Sequence, residues 1–148
     1  MSAYGGPVLL DMSAWARVLL DRLGTEDRAR FEDAARAGDI LACEPFLFEA
    51  LYSARDGGDY FRLAERLTAL PRVTSGPATL RRALESQAAL ARAPDVSHRV
   101  KPVDLLVSAI ADDHAVGVLH YDHDYDTIAA RSGLRLRSVW IAPRGTIQ

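Results

Sequence analysis

Lys101–Ala111 reads KPVDLLVSAIA, and shortly after it Gly117–His120 reads GVLH. Proline suits the first helical position, where its missing N–H has no intrahelical partner, so a helix is predicted from Pro102 with Asp104 in its first turn. Val103, Leu105, Leu106, Val107, Ala109, Ile110 and Ala111 leave almost no polar face, the pattern of a helix packed on several sides. Only Asp104, Ser108 and Asp112 share a polar stripe, at four-residue steps. GVLH is a short apolar run of the kind that forms a buried strand. A buried helix feeding a buried strand is half of an α/β unit, and the same alternation recurs on the N-terminal side.

There, Pro7–Leu10 is an apolar run ending at the acid Asp11 and reads as a strand. Ser13 is expected to cap a helix over Ala14–Leu23 that stops at Gly24, and a mostly surface helix follows over Thr25–Gly38. Ile40–Cys43, ILAC, is a second strand. A helix from Pro45 carries an apolar face of Leu47, Phe48, Leu51 and Tyr52, with Glu49, Ser53 and Asp56 as its polar stripe, and Gly57 and Gly58 end it. Tyr60–Leu70 and Ala78–Ala93 are helical in pattern, the latter with Leu80, Leu84 and Leu90 on its apolar side, and Arg72–Thr74 is a short strand between them. Beyond GVLH come the acids of YDHDYD, a short helix within TIAARSG and a last strand within Leu134–Ile141. Strands alternating with helices predict an α/β fold with a mainly parallel central sheet. At 148 residues, with no repeat, low-complexity segment or linker, one domain is expected over residues 1–148.

A lone cysteine, Cys43, excludes a disulfide framework and a cysteine-based zinc site, and points to a cytoplasmic protein. No basic segment precedes a long apolar one and no apolar run approaches twenty residues, so neither a signal peptide nor a membrane span is expected. The net charge of −2 lacks the basic footprint of a typical nucleic-acid binder, but two bound divalent cations would reverse its sign where phosphate would lie. Lys101 is the only lysine; arginine, the better bidentate phosphate partner, supplies the other cations.

Alone, Asp104 is an acid complementing the positive end of a helix dipole. Beside so much apolar surface an unpaired carboxylate is costly, and Arg99, Lys101 or a metal ion are the available remedies. Ligands of an open parallel sheet bind outside the carboxyl ends of its strands. Asp11 ends the first strand, Asp122 and Asp124 follow the third, and Glu49 lies about a turn into the helix after the second, which places these acids along one edge. A helix leading into a strand is expected to start at the opposite end unless its first turn overhangs, so Asp104 is the residue topology alone does not bring there. Clustered carboxylates without cysteine select Mg2+ or Mn2+, and such a site suits hydrolysis of a phosphodiester by metal-activated water.

Four segments, LLDMSAW, FEALYSA, KPVDLLVSAIA and VLHYDHDYDTIA, resemble the four acidic motifs of PIN-domain ribonucleases, in the VapC-type branch of toxin–antitoxin pairs. The resemblance covers nearly the whole chain. It implies a three-layer α/β/α sandwich with Asp11, Glu49, Asp104 and Asp122 as the acidic set, Asp124 as the further acid of the D-x-D-[FY] motif, and Ser13 at the Thr/Ser position after the first acid. It further implies a magnesium-dependent endoribonuclease, a homodimer, and neutralisation by a cognate antitoxin whose tail occupies the active-site groove. Met12 departs from the threonine common in the first motif. Ser13, Arg17, His98, Arg99 and Lys101 are candidate contacts to RNA phosphates.

Each acid also has a structural explanation: a turn residue at Asp11, a solvated stripe at Glu49, loop acids at Asp122 and Asp124. His120 and His123 read as incidental, and Asp122, Asp124 and Asp126 fail as an EF-hand because Thr127 stands where glycine is needed. The readings from other classes are a catalytically silent module that binds RNA or protein, and a structure-specific DNA nuclease.

Overall fold

The computed structural model describes residues 2–95 and 97–148. Its strands β1 (Val8–Leu10), β2 (Ile40–Cys43), β3 (Arg72–Val73), β4 (Gly117–His120) and β5 (Arg137–Trp140) form one sheet in the order β3-β2-β1-β4-β5, with every pairing parallel. Val8 is in register with Ile40 on one side and Gly117 on the other. Successive side chains of a strand face opposite ways, and every residue of β1 and β4 is buried. Both faces of the sheet are therefore covered by helices, which is the three-layer α/β/α sandwich.

The helices are α1 (Met12–Leu19), α2 (Thr25–Arg36), α3 (Glu44–Tyr52), α4 (Gly57–Leu67), α5 (Pro77–Ala91), α6 (Pro102–His114) and α7 (Asp124–Arg131), with a 3₁₀ turn at Ser97–Arg99. Several local expectations are corrected. Asp11, not Ser13, caps α1: its carboxylate accepts the Ser13 N–H at 2.9 Å. This helix ends at Leu19 rather than Leu23, because Asp21 adopts φ 57° ahead of Gly24. Gly57 and Gly58 open α4 instead of closing α3, since Asp56 accepts the Asp59 N–H at 2.8 Å and starts a new helix.

Two apolar faces are also placed differently. On α3 the buried residues are Phe46, Leu47 and Ala50, while Phe48 and Tyr52 project outward at 78% and 91% exposure. Likewise α5 buries Thr79, Ala83, Ser86 and Leu90 where it packs on α6, a small-residue seam that turns Leu80 and Leu84 to solvent.

The largest correction concerns Asp104. A helix that leads into a parallel strand runs antiparallel to it and so begins at the carboxyl edge of the sheet, the reverse of the sequence expectation. Asp104, in the first turn of α6, therefore needs no overhang to reach the other acids. The opposite edge of the sheet is held by Arg137, whose guanidinium donates to the Tyr4 and Pro7 carbonyls. Gly117 passes directly beside it: a Cβ there would lie 2.9 Å from Arg137 Cζ and 3.0 Å from the Arg137 carbonyl. Among the described residues no helix is long and apolar enough to cross a membrane.

Candidate active site

A cleft of about 400 Å³ opens at the carboxyl edge and is lined by Asp11, Ser13, Arg17, Glu49, Lys101, Asp104, Tyr121 and Asp122, among others. β1 delivers Asp11 at its end, α3 brings Glu49 from its second turn, α6 presents Asp104, and the turn after β4 carries Asp122 and Asp124. Carboxylate oxygens of Asp104, Asp122 and Asp124 lie within 4.8 Å of one another. Asp11, Glu49, Asp104 and Asp122 thus line one cleft, while the close group is Asp104, Asp122 and Asp124, which Asp11 and Glu49 do not join.

Asp11 is buried and fully engaged. One oxygen accepts the Ser13 N–H and the Ser13 hydroxyl at 2.6 Å, and the other accepts the Tyr125 hydroxyl, also at 2.6 Å. Ser13 Oγ in turn accepts the Tyr121 N–H at 2.8 Å, which ties the start of α1 to the end of β4. The Ser13 hydroxyl is therefore occupied inside the protein on both its donor and acceptor sides, and organises Asp11.

Asp104 is as deeply buried, and its surroundings are poorer. Its Oδ1 lies 3.3 Å from the Tyr125 hydroxyl, while its Oδ2 is buried with no hydrogen-bond partner. Burial first, then the negative charge of Asp11, push its carboxyl up to about 8, against a smaller opposing effect of Lys101. Burial and Asp11 also raise Glu49 above its ordinary value. Asp122 departs the other way: burial would raise it, but the hydrogen bond from Lys101 and the Asp124 N–H together hold it below the usual carboxylate range. Lys101 is raised in return, chiefly by that bond.

Behind the acids lies a polar chain that sequence reasoning did not find, buried at His120 and partly exposed at Ser138, Asp126 and Trp140. His120 Nδ1 accepts the Asp122 N–H at 3.1 Å, which leaves Nε2 as the protonated nitrogen donating to Ser138 Oγ at 2.6 Å. Ser138 then donates to Asp126 Oδ1 at 2.7 Å, and Trp140 Nε1 donates to the same carboxylate. His120 stacks on the Tyr125 ring, with centroids 4.8 Å apart. Burial lowers His120 to about 4, so it is neutral, and its ring is committed to this chain rather than to a metal. The one available signal was the run D-H-D-Y itself, in which a tyrosine rather than a phenylalanine follows Asp124.

Of the remaining candidate phosphate contacts, Arg17 lies on the cleft wall, bonded to the Ser13 carbonyl with its guanidinium 4.8 Å from the Tyr121 ring centroid. Lys101 stands at the mouth. His98 and Arg99 sit on the 3₁₀ turn and do not line the cleft.

The site fits a hard divalent cation. Its close group consists of three carboxylates, Asp104, Asp122 and Asp124, and among the described residues one buried oxygen of Asp104 has no hydrogen-bond partner.

Comparison with known proteins places this geometry. A profile for the PIN domain matches residues 8–131. Ribonuclease VapC18 of Mycobacterium tuberculosis (strain ATCC 25618 / H37Rv) is 37% identical over 139 residues, covering 93% of this chain and 97% of its own. Ribonuclease VapC51 of the same strain is 37% identical over 120 residues, covering 81% of this chain and 85% of its own. Among solved structures, the crystal structure of DNA-bound VapBC from Salmonella typhimurium superposes with a TM-score of 0.69 at 16% identity, covering 93% of this chain and 99% of that one. VapBC-5 from Mycobacterium tuberculosis gives 0.63 at 16% identity, covering 91% and 98%. With its fold, its acidic edge and these relatives in agreement, the chain belongs to the PIN-domain family and, within it, groups with the VapC ribonucleases.

Proposed function

We propose that this chain is a metal-dependent endoribonuclease, the toxin of a toxin–antitoxin pair, using Mg2+ with Mn2+ as a substitute. The observation that carries the reading is Asp104: a buried carboxylate with a partnerless oxygen, facing Asp122 and Asp124. Burial without compensation on this scale is costly in a folded protein unless a ligand repays it.

Asp104, Asp122 and Asp124 would hold the cation, with Asp11 adjoining through Tyr125. When bound, it supplies a Lewis acid that polarises a phosphoryl oxygen and makes a water easier to deprotonate. Glu49 stands on the cleft wall with its carboxyl raised above the ordinary value and would serve as the proton acceptor of the site. Lys101 and Arg17 supply positive charge for the RNA phosphates, Arg17 being held over the partly exposed Tyr121 ring. The proton that Asp104 holds in the metal-free state must leave when the cation enters, so metal affinity rises with pH.

The reading includes RNA as substrate, a cognate antitoxin as inhibitor and a homodimer. Two exposed apolar faces are available for protein partners, one around Phe48, Tyr52 and Tyr60 and one at Leu80 and Leu84. Its test is cleavage of total cellular RNA by purified wild type and by Asp104→Asn, each with Mg2+ and with chelator. Discrete cuts that need both Mg2+ and Asp104 are expected. Cleavage of DNA alone under the same conditions points to a DNA nuclease, and inertness of folded, partner-free wild type toward both points to a silent binding module.

A further inference from the structure

Resting on the metal-dependent reading above, we infer that the stacked pair His120 and Tyr125 is a positioning device that sets the spacing of the acid cluster before any cation arrives. Each ring holds a different half of it. Tyr125 has a single hydroxyl proton, donated to Asp11 Oδ1 at 2.6 Å with Asp104 Oδ1 at 3.3 Å from the same oxygen. Two buried carboxyl groups from different elements, β1's end and α6, are thereby drawn to one shared hydroxyl.

His120 holds the other half. Its Nδ1 accepts the Asp122 N–H, and Asp122 Oδ1 accepts the Asp124 N–H at 3.0 Å, so the turn that aims both carboxylates is fixed from the imidazole outward. The imidazole is itself pinned by Ser138 and, through it, by Asp126 and Trp140, which reach from β5 and α7. Neither ring is exposed, and neither has a free polar atom with which to meet substrate. The two rings stack at an interplanar angle of 28°, so each half of the cluster is braced against the other through that contact.

Groups placed behind a metal's ligands in this way typically account for 10–100-fold in metal affinity. The experiment is equilibrium Mn2+ binding, by calorimetry or electron spin resonance, to wild type, Tyr125→Phe, His120→Asn and His120→Gln, with folding checked by circular dichroism. Tyr125→Phe keeps the ring and the stack and removes one oxygen; it is expected to bind Mn2+ at least tenfold more weakly. His120→Asn sets its amide oxygen near the position of Nδ1 and can still accept the Asp122 N–H, whereas His120→Gln sets its amide near Nε2 and cannot. Asparagine is therefore expected to retain at least fivefold more affinity than glutamine. A role in packing alone predicts the reverse order, because glutamine fills the space better, and that order overturns the inference. So does a folded Tyr125→Phe that binds within twofold of wild type. Wild type that does not bind Mn2+ overturns the metal reading on which the inference rests, a result distinct from either.

Discussion

Replacing Asp104 with asparagine is expected to stabilise the metal-free protein. The side chain is 3% exposed, and its folded carboxyl stands at about 8 against an ordinary 3.8. The folded state therefore binds a proton that the unfolded state has released, and stability falls as pH rises between those two values. At about 1.4 kcal/mol for each pH unit, the loss accumulated by pH 7 is about 4 kcal/mol. Asparagine has no proton to lose and escapes this cost. Its amide group arrives at a position where Oδ2 has no partner, which returns about 1–2 kcal/mol. The net gain is about 2–3 kcal/mol, and for a chain of this length each kcal/mol moves the Tm by roughly 2–4 °C. Thermal melts in chelator from pH 5 to 9 should show the variant above wild type at pH 7 by roughly 5–10 °C. Wild type should descend until about pH 8 and then level off. The raised Glu49 adds a slope common to both proteins. Added Mg2+ should raise wild type and leave the variant nearly unmoved. A variant that melts at or below wild type at pH 7 in chelator, with the same pH slope, would refute the reasoning.

Three further outcomes are expected. His120, lowered to about 4, contributes stability that is present above pH 6.5 and lost as pH falls through 4; long-range nitrogen-15 spectra should show the neutral Nε2–H tautomer at pH 5.5, and a midpoint near 6.5 would contradict the buried chain. Lys101→Gln breaks an ion pair whose lysine side chain is 64% exposed, so the stability cost should stay below about 1 kcal/mol while KM for RNA rises; a Tm fall of many degrees would show a structural role instead. Ala115 ends α6 at φ 54° and ψ 41°, a conformation that costs an L-residue about 1–2 kcal/mol, part of it offset by the freedom glycine gains when unfolded. Ala115→Gly should raise the Tm by about 1–4 °C, and a lowered Tm would place the strain elsewhere.

The three central strands β1, β2 and β4 were legible because each is a short apolar run beside or beginning with a glycine, a proline or an acid and is largely buried, whereas the edge strands Arg72–Val73 and Arg137–Trp140 carry arginines and are only partly covered. Boundaries that depend on a cap were less so. Ser13 and Asp11 are both good capping residues, and only the backbone at Asp11 decides between them. Faces rich in leucine were misread where neighbouring helices come close: the α5–α6 seam prefers Thr79, Ala83 and Ser86, a choice that a period of 3.6 does not reveal. At the site, Asp11, Asp122 and Asp124 were legible as acids at or just beyond strand ends, and Glu49 as an acid about a turn into the helix after β2. Asp104 needed a correct account of helix direction in a parallel sheet. The chain from His120 through Ser138 to Asp126 lay beyond sequence altogether, since it joins residues 12 to 18 positions apart through hydrogen bonds alone.

Asp11 belongs at once to the cleft and to the start of α1, and this bears on how the descent of such proteins is read. A lineage that stopped cleaving its substrate would still need a residue to begin that helix and to receive the Ser13 and Tyr125 hydroxyls. Selection for a folded chain alone would keep aspartate or asparagine there long after activity had gone. Glu49 makes none of those bonds, and nothing in the fold would resist its drift. Among diverging copies of this gene, the fate of position 49 would therefore mark the loss of activity sooner than the fate of position 11.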